Sequence, residues 1–427
     1  MTSRSTFALA AAAAMVLSLP VADTVQAQRA ERTDLTAAQI EALARDIHDT
    51  AIAIDSHVDV PPSYASHAVD PGGFTDHQVD LPKMRIGGLD AAFFVVYSRQ
   101  RSLTADAFAQ AREDAEGRYH AIMRLVGAYP DQIGLARTAK DIERIHASGR
   151  AVALIGMENA FPLGNSLADM GLWYERGVRY IGLTHFGHNQ FGDSSNPIPG
   201  LGDGDTKHGG LSELGRAAVT EMNRLGIMLD VSHAHKTTMM QATALSAAPV
   251  IASHSSVMAV TENARNLDDE QLRAIAQNGG VAQITAFDTY IKELSPEKKI
   301  AQEAIRRSMG LETLLARFTM SEEQQVEHDA AIAKTHAISP RATVGEFIDH
   351  IDHAVAVAGV DHVGISSDFG GGGGVDGWDN AAETLNVTRE LVRRGYSEDE
   401  IVKLWGGNLL RVMRQVEAAA RRIQRGR

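Results

Sequence analysis

The chain has 427 residues, of which 44% are hydrophobic and 22% charged, a composition typical of a folded, water-soluble protein and not of a collagenous, coiled-coil or disordered one. Its formal net charge of −13 and the lack of a dense basic run argue against nucleic acid as a partner. Because the chain contains no cysteine, disulfides and thiolate ligands are excluded, and any bound metal must be held by His, Asp and Glu.

The first 27 residues have the pattern of a secretory signal peptide. Arg4 lies in a short polar start, and the apolar run 7–19 that follows is too short to span a bilayer. Val25-Gln26-Ala27 offers the small-residue pattern that a signal peptidase accepts, so cleavage is expected before Gln28. We therefore expect export to the periplasm, or secretion into the medium, with no stable membrane anchor after cleavage. An N-terminal anchor that is never cut is the alternative.

Residues 28–427 alternate between short β-branched runs and helical stretches, which is typical of a parallel sheet. Strands are predicted at residues 51–56, 91–96, 152–157, 180–184, 227–232, 250–253, 281–285 and 362–367. Eight such units favour one α/β domain with a (β/α)8 TIM-type barrel, of the kind found in metal-dependent hydrolases. An open doubly wound sheet is the alternative.

Two segments stand outside this repeat. Residues 292–340 form a charged, Ala-rich helical insertion between the seventh and eighth predicted strands, and they are either a lid over the barrel or a solvated helical hairpin. Residues 186–210 form a long loop after the fourth predicted strand, and no further feature assigns a role to its His188 and His208. Histidines in polar helical stretches, including His48 and His350, are expected to be solvated.

Histidines and acidic residues collect where the predicted strands end. His57 and Asp59 follow the first strand, and the later ends carry Glu158, His185, His233, His254 and Asp368. In a parallel barrel these carboxyl ends open onto one face, the barrel mouth, where enzymes of this architecture have their active sites. The sequence therefore predicts that seven polar side chains converge on one mouth.

Five of these side chains predict a centre of two metal ions. His57 and Asp59 are two residues apart, so both point to the same side of an extended strand. Glu158 follows an apolar run, where a carboxylate needs a cation for compensation, and its two oxygens can bridge two metals. We predict one metal bound by His57, Asp59 and Glu158, and a second bound by Glu158, His233 and His254. Nitrogen and oxygen ligands favour zinc but also admit manganese, cobalt or iron.

Such a centre predicts a hydrolase, because two bridged metals produce hydroxide near neutral pH and one of them polarises the scissile carbonyl. Asp368 is the candidate that takes a proton from the attacking water and returns it to the leaving amine. His185 is the candidate that stabilises the oxyanion. The alternative for both residues is a role as an additional ligand or as a partner of a ligand.

Ordered motifs run through nearly all of the chain after residue 27. They are Ile54-Asp55-Ser56-His57-Val58-Asp59, Leu154-Ile155-Gly156-Met157-Glu158, Gly177-Val178-Arg179-Tyr180, Leu183-Thr184-His185, Asp230-Val231-Ser232-His233, Ser253-His254-Ser255-Ser256, Ala264-Arg265-Asn266, His362-Val363-Gly364-Ile365, Ser367-Asp368-Phe369 and Trp405-Gly406-Gly407-Asn408. In these motifs the chain resembles the membrane dipeptidases, also called renal dipeptidases, and their bacterial relatives.

The resemblance implies a zinc-dependent dipeptidase that acts on free dipeptides, tolerates a D-residue at the carboxyl side and often forms a homodimer. It implies two zinc ions per chain and the same five ligands. It also implies that His185 binds substrate and transition state, that Asp368 transfers protons, and that Arg265 holds the terminal carboxylate of the substrate. Without the resemblance, Arg265 would be interpreted as one exposed arginine among many.

The chain departs from the family pattern at the rim of the pocket. Pro61-Pro62 replaces a pocket tryptophan, Phe287 stands where a tyrosine is common, and Gly370 follows Asp368-Phe369 where many members have Asp-Gly. These departures leave the specificity open. An amidohydrolase that acts on another small amide, lactam or ester is therefore an alternative function. An alternative of another class is an inactive exported protein that binds metal or peptide.

Overall fold

The structure is a computed structural model and describes residues 35–426. The predicted signal peptide, residues 1–27, lies outside the described residues and stays a prediction. Within residues 35–426, no helix combines the length and the apolar character needed to cross a membrane.

Nine parallel strands form one sheet, and eight of them follow one another around a barrel in the order β1-β2-β4-β5-β6-β7-β8-β9. Their bounds are β1 Ile54–Asp59, β2 Ala91–Tyr97, β3 Ile133–Leu135, β4 Ala151–Glu158, β5 Val178–Gly182, β6 Met228–Asp230, β7 Ile251–Ser255, β8 Val281–Thr285 and β9 Val363–Ser366. β3 pairs with β4 outside this path. The order confirms the predicted (β/α)8 barrel, because an open doubly wound sheet would reverse its strand order at a switch point.

The barrel nearly closes between its first and last strands. Val58 forms a parallel bridge with Phe369, and the Asp59 backbone N–H donates to the Phe369 carbonyl over 2.7 Å. The buried Asp55 carboxylate accepts from the backbone N–H of Ser367 at 3.0 Å and from the Ser367 hydroxyl. These contacts bring the carboxyl ends of β1 and β9 together.

The predicted strands are all present, although several ends are shifted. The first strand begins at Ile54 and not at residue 51, because Ala51 is the C-cap of the preceding helix. His57 and Asp59 are therefore inside β1, and Nε2 of His57 lies 3.3 Å from Oδ2 of Asp59. β3 was not predicted, since three residues are too few to show a periodic pattern.

The α-helices of the described residues lie between the strands and around the barrel. In chain order they are α1 Ala37–Thr50, α2 Leu81–Gly87, α3 Ala105–Ala128, α4 Ala139–His146, α5 Ala168–Arg176, α6 Glu213–Leu225, α7 Lys236–Leu245, α8 Asp269–Gln277, α9 Asp288–Ile291, α10 Pro296–Ser308, α11 Leu314–Phe318, α12 Glu322–Ala333, α13 Val344–Ala358, α14 Leu385–Arg393, α15 Glu398–Val402 and α16 Asn408–Gln424. α10 to α12 lie within the predicted insertion, residues 292–340.

Three histidines that were expected to be solvated, His48, His328 and His350, are buried, so that expectation was wrong for them. His48 bonds the Thr388 hydroxyl at 2.8 Å and the Gly87 carbonyl at 2.9 Å. His350 accepts from the Val257 backbone N–H at 3.1 Å and bonds the Ile291 carbonyl at 3.0 Å. Burial lowers the pKa of His350 to about 4, so it is a neutral structural residue near neutral pH. A polar helix sequence does not show which of its faces meets the barrel.

Candidate metal centre and active site

The seven predicted side chains meet at the barrel mouth, with Glu158 at their centre. Its Oε1 lies 2.9 Å from Nε2 of His233, 3.2 Å from Nε2 of His254 and 3.7 Å from Nε2 of His185. Its Oε2 lies 3.7 Å from Nε2 of His57. One carboxylate therefore faces four imidazoles from four different strand ends, a geometry that suits a bridging ligand.

The imidazole nitrogens converge as metal ligands do. Nε2 of His233 and Nε2 of His254 are 2.9 Å apart. Nε2 of His57 is buried without a hydrogen-bond partner in the described structure, and Asp59 Oδ2 lies 3.3 Å from it. Leaving a buried nitrogen unpaired is costly, and a cation between these atoms removes that cost. The donor set thus fits a metal that accepts nitrogen and oxygen ligands.

Three overlapping groups of side chains each have ligand atoms within 4.8 Å of one another: His57 with Glu158 and His254, Glu158 with His185 and His233, and His57 with Asp59 and Asp368. The predicted residues are thus all present in one cluster. The distances divide them differently from the prediction, because Asp368 and His185 each join a potential ligand group. Their alternative role as ligands therefore stays open.

The orientation of His57 is set by Tyr180. The Tyr180 hydroxyl donates to the Ser56 carbonyl at 3.2 Å and lies 3.0 Å from Nδ1 of His57. Since that hydroxyl already uses its proton, it accepts from Nδ1–H, which leaves the lone pair of Nε2 facing the cluster. Gly156 on β4 is required for this contact, because a Cβ there would overlap the Tyr180 ring.

His254 is oriented by an analogous chain of hydrogen bonds. The Ser253 hydroxyl donates to the buried Asp230 carboxylate at 2.7 Å and lies 2.8 Å from Nδ1 of His254. The serine thus accepts from Nδ1–H, and Nε2 of His254 is again left free for a metal. Asp230 also accepts from the backbone N–H groups of Ser232 and Ser253, which ties the ends of β6 and β7 together.

Backbone strain is concentrated beside the cluster. Four non-glycine residues of the described chain have positive φ, and three of them are Asn159, His233 and Asp368, at 70°, 64° and 60°. Asn159 directly follows β4, and His233 and Asp368 lie within three residues of the ends of β6 and β9. This conformation is uncommon for such residues and is found where the surrounding structure imposes it, often at functional sites.

The acidic residues shift one another's pKa. Burial, followed by the negative charges of Asp59 and Glu158, raises the pKa of Asp368 well above its usual range, although His57 opposes this. Burial alone would raise the pKa of Glu158, but the charges of His185 and His57 and hydrogen bonds from His233 and His254 hold it well below its usual range. Burial lowers the pKa of His185 to about 4. The carboxyl groups of Asp368 and Glu158 therefore differ in how readily they bind a proton.

The glycine run after Asp368 packs directly on the carboxylates. A Cβ on Gly371 would overlap Oδ1 of Asp368 and would lie 2.6 Å from Oδ2 of Asp59. Gly370 adopts a φ of 80° against the Asp59 backbone. The departure noted at Gly370 therefore lies against the ligand cluster itself, closer than the pocket rim where the sequence had placed it.

Arg265 is buried, so its interpretation as an exposed arginine is wrong. Its Nη2 donates to the His254 carbonyl at 3.1 Å, its guanidinium lies 5.5 Å from the centre of the Tyr290 ring, and its Nε has no hydrogen-bond partner in the described structure. Phe287, at the family's tyrosine position, stacks on Tyr290 with ring centres 4.2 Å apart. A buried guanidinium beside a metal ligand thus has donors to spare.

Aromatic side chains form the wall around His185. Its ring centre lies 4.9 Å from Tyr97, 4.8 Å from Phe186 and 5.5 Å from Phe318, the last residue of α11. The Phe318 carbonyl accepts from Arg99 at 2.7 Å. The insertion therefore reaches the mouth through α11, which is what a lid requires. His188 and His208 instead bond backbone groups of their own loop.

Several of these residues were missed by the sequence analysis. Tyr180, Asp230 and Ser253 occur in the motifs, but nothing in their spacing shows that Tyr180 bonds His57 across the barrel or that Ser253 links His254 to Asp230. The Gly156 that faces Tyr180 was a usable signal, because glycine inside a strand often marks a close approach. Tyr97 and Phe318 carry no such mark, since their meeting depends on the barrel and the insertion together.

A barrel with histidine and carboxylate ligands at the carboxyl ends of its strands is the architecture of metal-dependent hydrolases. A family model described as "Membrane dipeptidase (Peptidase family M19)" matches residues 41–427. The chain belongs to this family.

Individual relatives agree with this assignment. "Dipeptidase aclJ" of Aspergillus oryzae is 31% identical over 368 residues, which cover 82% of this chain and 74% of the relative. The crystal structure of "the probable dipeptidase PvdM from Pseudomonas aeruginosa" is 34% identical, with a TM-score of 0.81 over 90% of this chain and 100% of that one. A metallo peptidase from Rhodobacter sphaeroides, solved with a phosphinate mimic of the dipeptide L-Ala-D-Ala, is 24% identical, with a TM-score of 0.65 over 86% of this chain and 99% of that one, and it shows the same fold.

The protein is therefore a hydrolase, a dipeptidase of the metallopeptidase class. Its described residues contain a cluster of histidines and carboxylates able to hold metal.

The Tyr180 contact yields a prediction about metal binding. Tyr180→Phe leaves Nδ1–H of His57 and the Ser56 carbonyl without their partner, and loss of such a partner typically weakens metal affinity about 10–100-fold. Tyr64→Phe is a matched control, because its buried hydroxyl donates to the Val79 carbonyl at 2.8 Å away from the cluster. Both variants are expected to lose about 1–3 kcal/mol of stability. Metal titration with a competing chelator is the measurement, and equal affinities in the two variants would contradict the role of Tyr180.

The glycine run yields a second prediction. Gly371→Ala places a methyl group against the carboxylates of Asp368 and Asp59, so it is expected to reduce metal content and turnover while the thermal unfolding temperature changes little. Gly73→Ala is the control, since the nearest atom to its Cβ is 3.9 Å away. Metal analysis and dipeptide hydrolysis are measured on both. Normal activity in Gly371→Ala would show that the carboxylates can move aside without consequence.

Proposed function

We propose that the protein hydrolyses free dipeptides with two zinc ions bound at the barrel mouth. The observation that carries this proposal is Arg265, a buried guanidinium with an unpaired Nε next to the ligand His254. Arginine binds carboxylates through paired N–H donors, and a free dipeptide offers a terminal carboxylate close to its scissile carbonyl. A barrel enzyme acting on a neutral amide would have no use for this group.

His57, Asp59, Glu158, His233 and His254 would hold the metal ions. When bound, two zinc ions would supply Lewis acidity for the scissile carbonyl and lower the pKa of water. Manganese, cobalt and iron accept the same ligands, so the preference for zinc rests on the absence of sulfur ligands and on the family resemblance.

Asp368 and His185 would perform the remaining tasks. The Asp368 carboxyl is proposed to take a proton from the attacking water and to deliver it to the nitrogen of the leaving amine. Its raised pKa supports this assignment, because a carboxyl with a raised pKa accepts a proton more readily than an ordinary one and can then release it as an acid. His185, a neutral imidazole held against Tyr97 and Phe186, is proposed to donate a hydrogen bond to the oxygen of the cleaved carbonyl.

Three further features, of the substrate, the location and the assembly, are part of this proposal. Tolerance of a D-residue at the carboxyl side is supported by the L-Ala-D-Ala mimic bound to the Rhodobacter sphaeroides peptidase of the same fold. Location in the periplasm is supported by the signal-peptide pattern of residues 1–27. A homodimer is expected from the resemblance alone.

Two substitutions separate metal binding from proton transfer. Glu158→Gln removes the charge that faces four imidazoles, so loss of at least one metal per chain and loss of activity are expected. Asp368→Asn should keep its metals and lose about 10²–10⁴-fold in turnover, as expected for a general acid and base. Metal content by mass spectrometry and dipeptide hydrolysis are measured together. A metal-free Asp368→Asn protein would assign Asp368 to the ligands, and a fully active Glu158→Gln protein would remove the bridging role.

The terminal carboxylate gives the decisive test of the dipeptidase assignment. Amidating the substrate or changing Arg265→Leu removes one member of a desolvated pair, which should cost on the order of 2–5 kcal/mol in kcat/KM. The two changes are expected not to add, because each removes the same interaction. If amidated dipeptides or tripeptides are cleaved as well as free dipeptides, the broader amide hydrolase is the better assignment. If metal-loaded protein cleaves none of them, the inactive binding protein is favoured.

A further inference from the structure

Among residues 35–426, two arginines on the β2 side of the mouth have no ion pair with an acidic side chain. Arg118, on α3, is half-buried with its guanidinium 5.2 Å from the centre of the Tyr97 ring, and its Nε has no hydrogen-bond partner in the described structure. Arg99 bonds the Phe318 carbonyl. The acidic residues next to Arg118 along the helix are engaged elsewhere, since Asp114 pairs with Arg101 and Glu116 pairs with Arg176.

These arginines stand directly behind the catalytic cluster. Tyr97 is the register partner of Glu158 in the β2–β4 pair, and its ring lies edge-on to His185 at 4.9 Å. Phe318, which Arg99 holds, contacts the same imidazole. The Arg118 guanidinium and the His185 imidazole therefore both lie against the Tyr97 ring.

Their position is opposite to that of Arg265. In the order of the eight barrel strands, β2 is second and β7, which precedes Arg265, is sixth, so the two sides are half a turn apart. A dipeptide whose carboxylate is held by Arg265 spans the metal cluster and directs its amino-terminal residue toward the β2 side. The side chain of that residue would then approach Arg118 and Arg99.

We propose that Arg118, with Arg99 beside it, selects dipeptides whose amino-terminal residue carries a carboxylate side chain. This inference rests on the proposed function. A guanidinium that is partly desolvated and lacks a partner gains most from a carboxylate, which it can bind through two parallel N–H donors. A neutral side chain of the same shape leaves those donors unpaired.

The departure at Pro61-Pro62 lies next to this arginine. A Cβ on Gly117, the residue before Arg118, would come within 3.4 Å of the Pro62 side chain. Arg124, further along α3, donates to the carbonyls of Pro62 and Tyr64. The segment that replaces the family's pocket tryptophan is thus packed on the helix that carries Arg118, which links this departure to a changed amino-terminal pocket.

The test compares the zinc-loaded enzyme on L-Glu-L-Ala, freshly dissolved L-Gln-L-Ala and L-Ala-L-Ala. Wild-type enzyme is expected to prefer the Glu substrate over the Gln substrate by about 10-fold or more in kcat/KM. Arg118→Gln should lower kcat/KM for the Glu substrate to the level of the Gln substrate and leave the Gln substrate within about 2-fold. Arg118→Lys should retain part of the preference. Arg112→Gln, an exposed arginine on the same helix, is the matched control and should change neither.

The outcomes separate this inference from the proposed function. Equal cleavage of the Glu and Gln substrates by wild-type enzyme overturns the selection while the dipeptidase assignment stands. An equal loss on all three substrates in Arg118→Gln, with no rescue by lysine, shows that Arg118 acts only by packing on Tyr97 and also overturns it. Failure of the wild-type enzyme to cleave any of the three overturns the proposed function instead.

Discussion

The burial of three carboxylates, Asp59, Glu158 and Asp368, in one barrel mouth is the constraint on which the site depends. Removing even one carboxylate from water is costly unless a cation or hydrogen bonds compensate it. The imidazoles that face Glu158 do not all bind a proton readily, because burial lowers the pKa of His233 and of His254 well below its usual range. Metal cations satisfy both sets of groups together, since they bind the carboxylate oxygens and the free imidazole lone pairs.

The surrounding scaffold holds this arrangement through contacts between strands. Asp55 joins the ends of β1 and β9, and Asp230 joins the ends of β6 and β7, so the ligands on those strands are positioned by buried carboxylates one layer below them. Tyr180 and Ser253 then set which nitrogen of each imidazole faces the cluster. The ligands thus lie on rigid strand ends, whereas Arg265, Tyr290 and Phe318 come from the segments that follow strands. Such a division suits an enzyme in which the metal site is invariant and the pocket changes with specificity.

The sequence predicted the barrel and the members of the cluster for one physical reason. Side chains at the carboxyl ends of parallel strands must meet, so His57, Glu158, His233 and Asp368 could be grouped without coordinates. Contacts that depend on the twist of the barrel, on the path of a loop or on which face of a helix meets the barrel could not be predicted in this way. The burial of Arg265 and His48, the approach of Gly371 to two carboxylates and the contact of Phe318 with His185 all belong to this second class. The short β3 was missed because a periodic pattern needs more residues than it has.

The charges at the mouth also connect metal loading with substrate recognition. Without metal, the carboxylates of the cluster attract the guanidinium of Arg265. Burial is the main cause of the lowered pKa of the imidazoles, and the positive charge of Arg265 lowers it further. Two divalent cations would more than neutralise the three carboxylates. The carboxylates would then no longer compete with a substrate anion for Arg265 and Arg118. Both guanidinium groups would become free to attract anions from opposite sides of the barrel. If Arg265 binds the terminal carboxylate as proposed, we expect the metal-loaded enzyme to recognise an anionic carboxyl terminus best, so that substrate binding and cleavage would arise from the same electrostatic change.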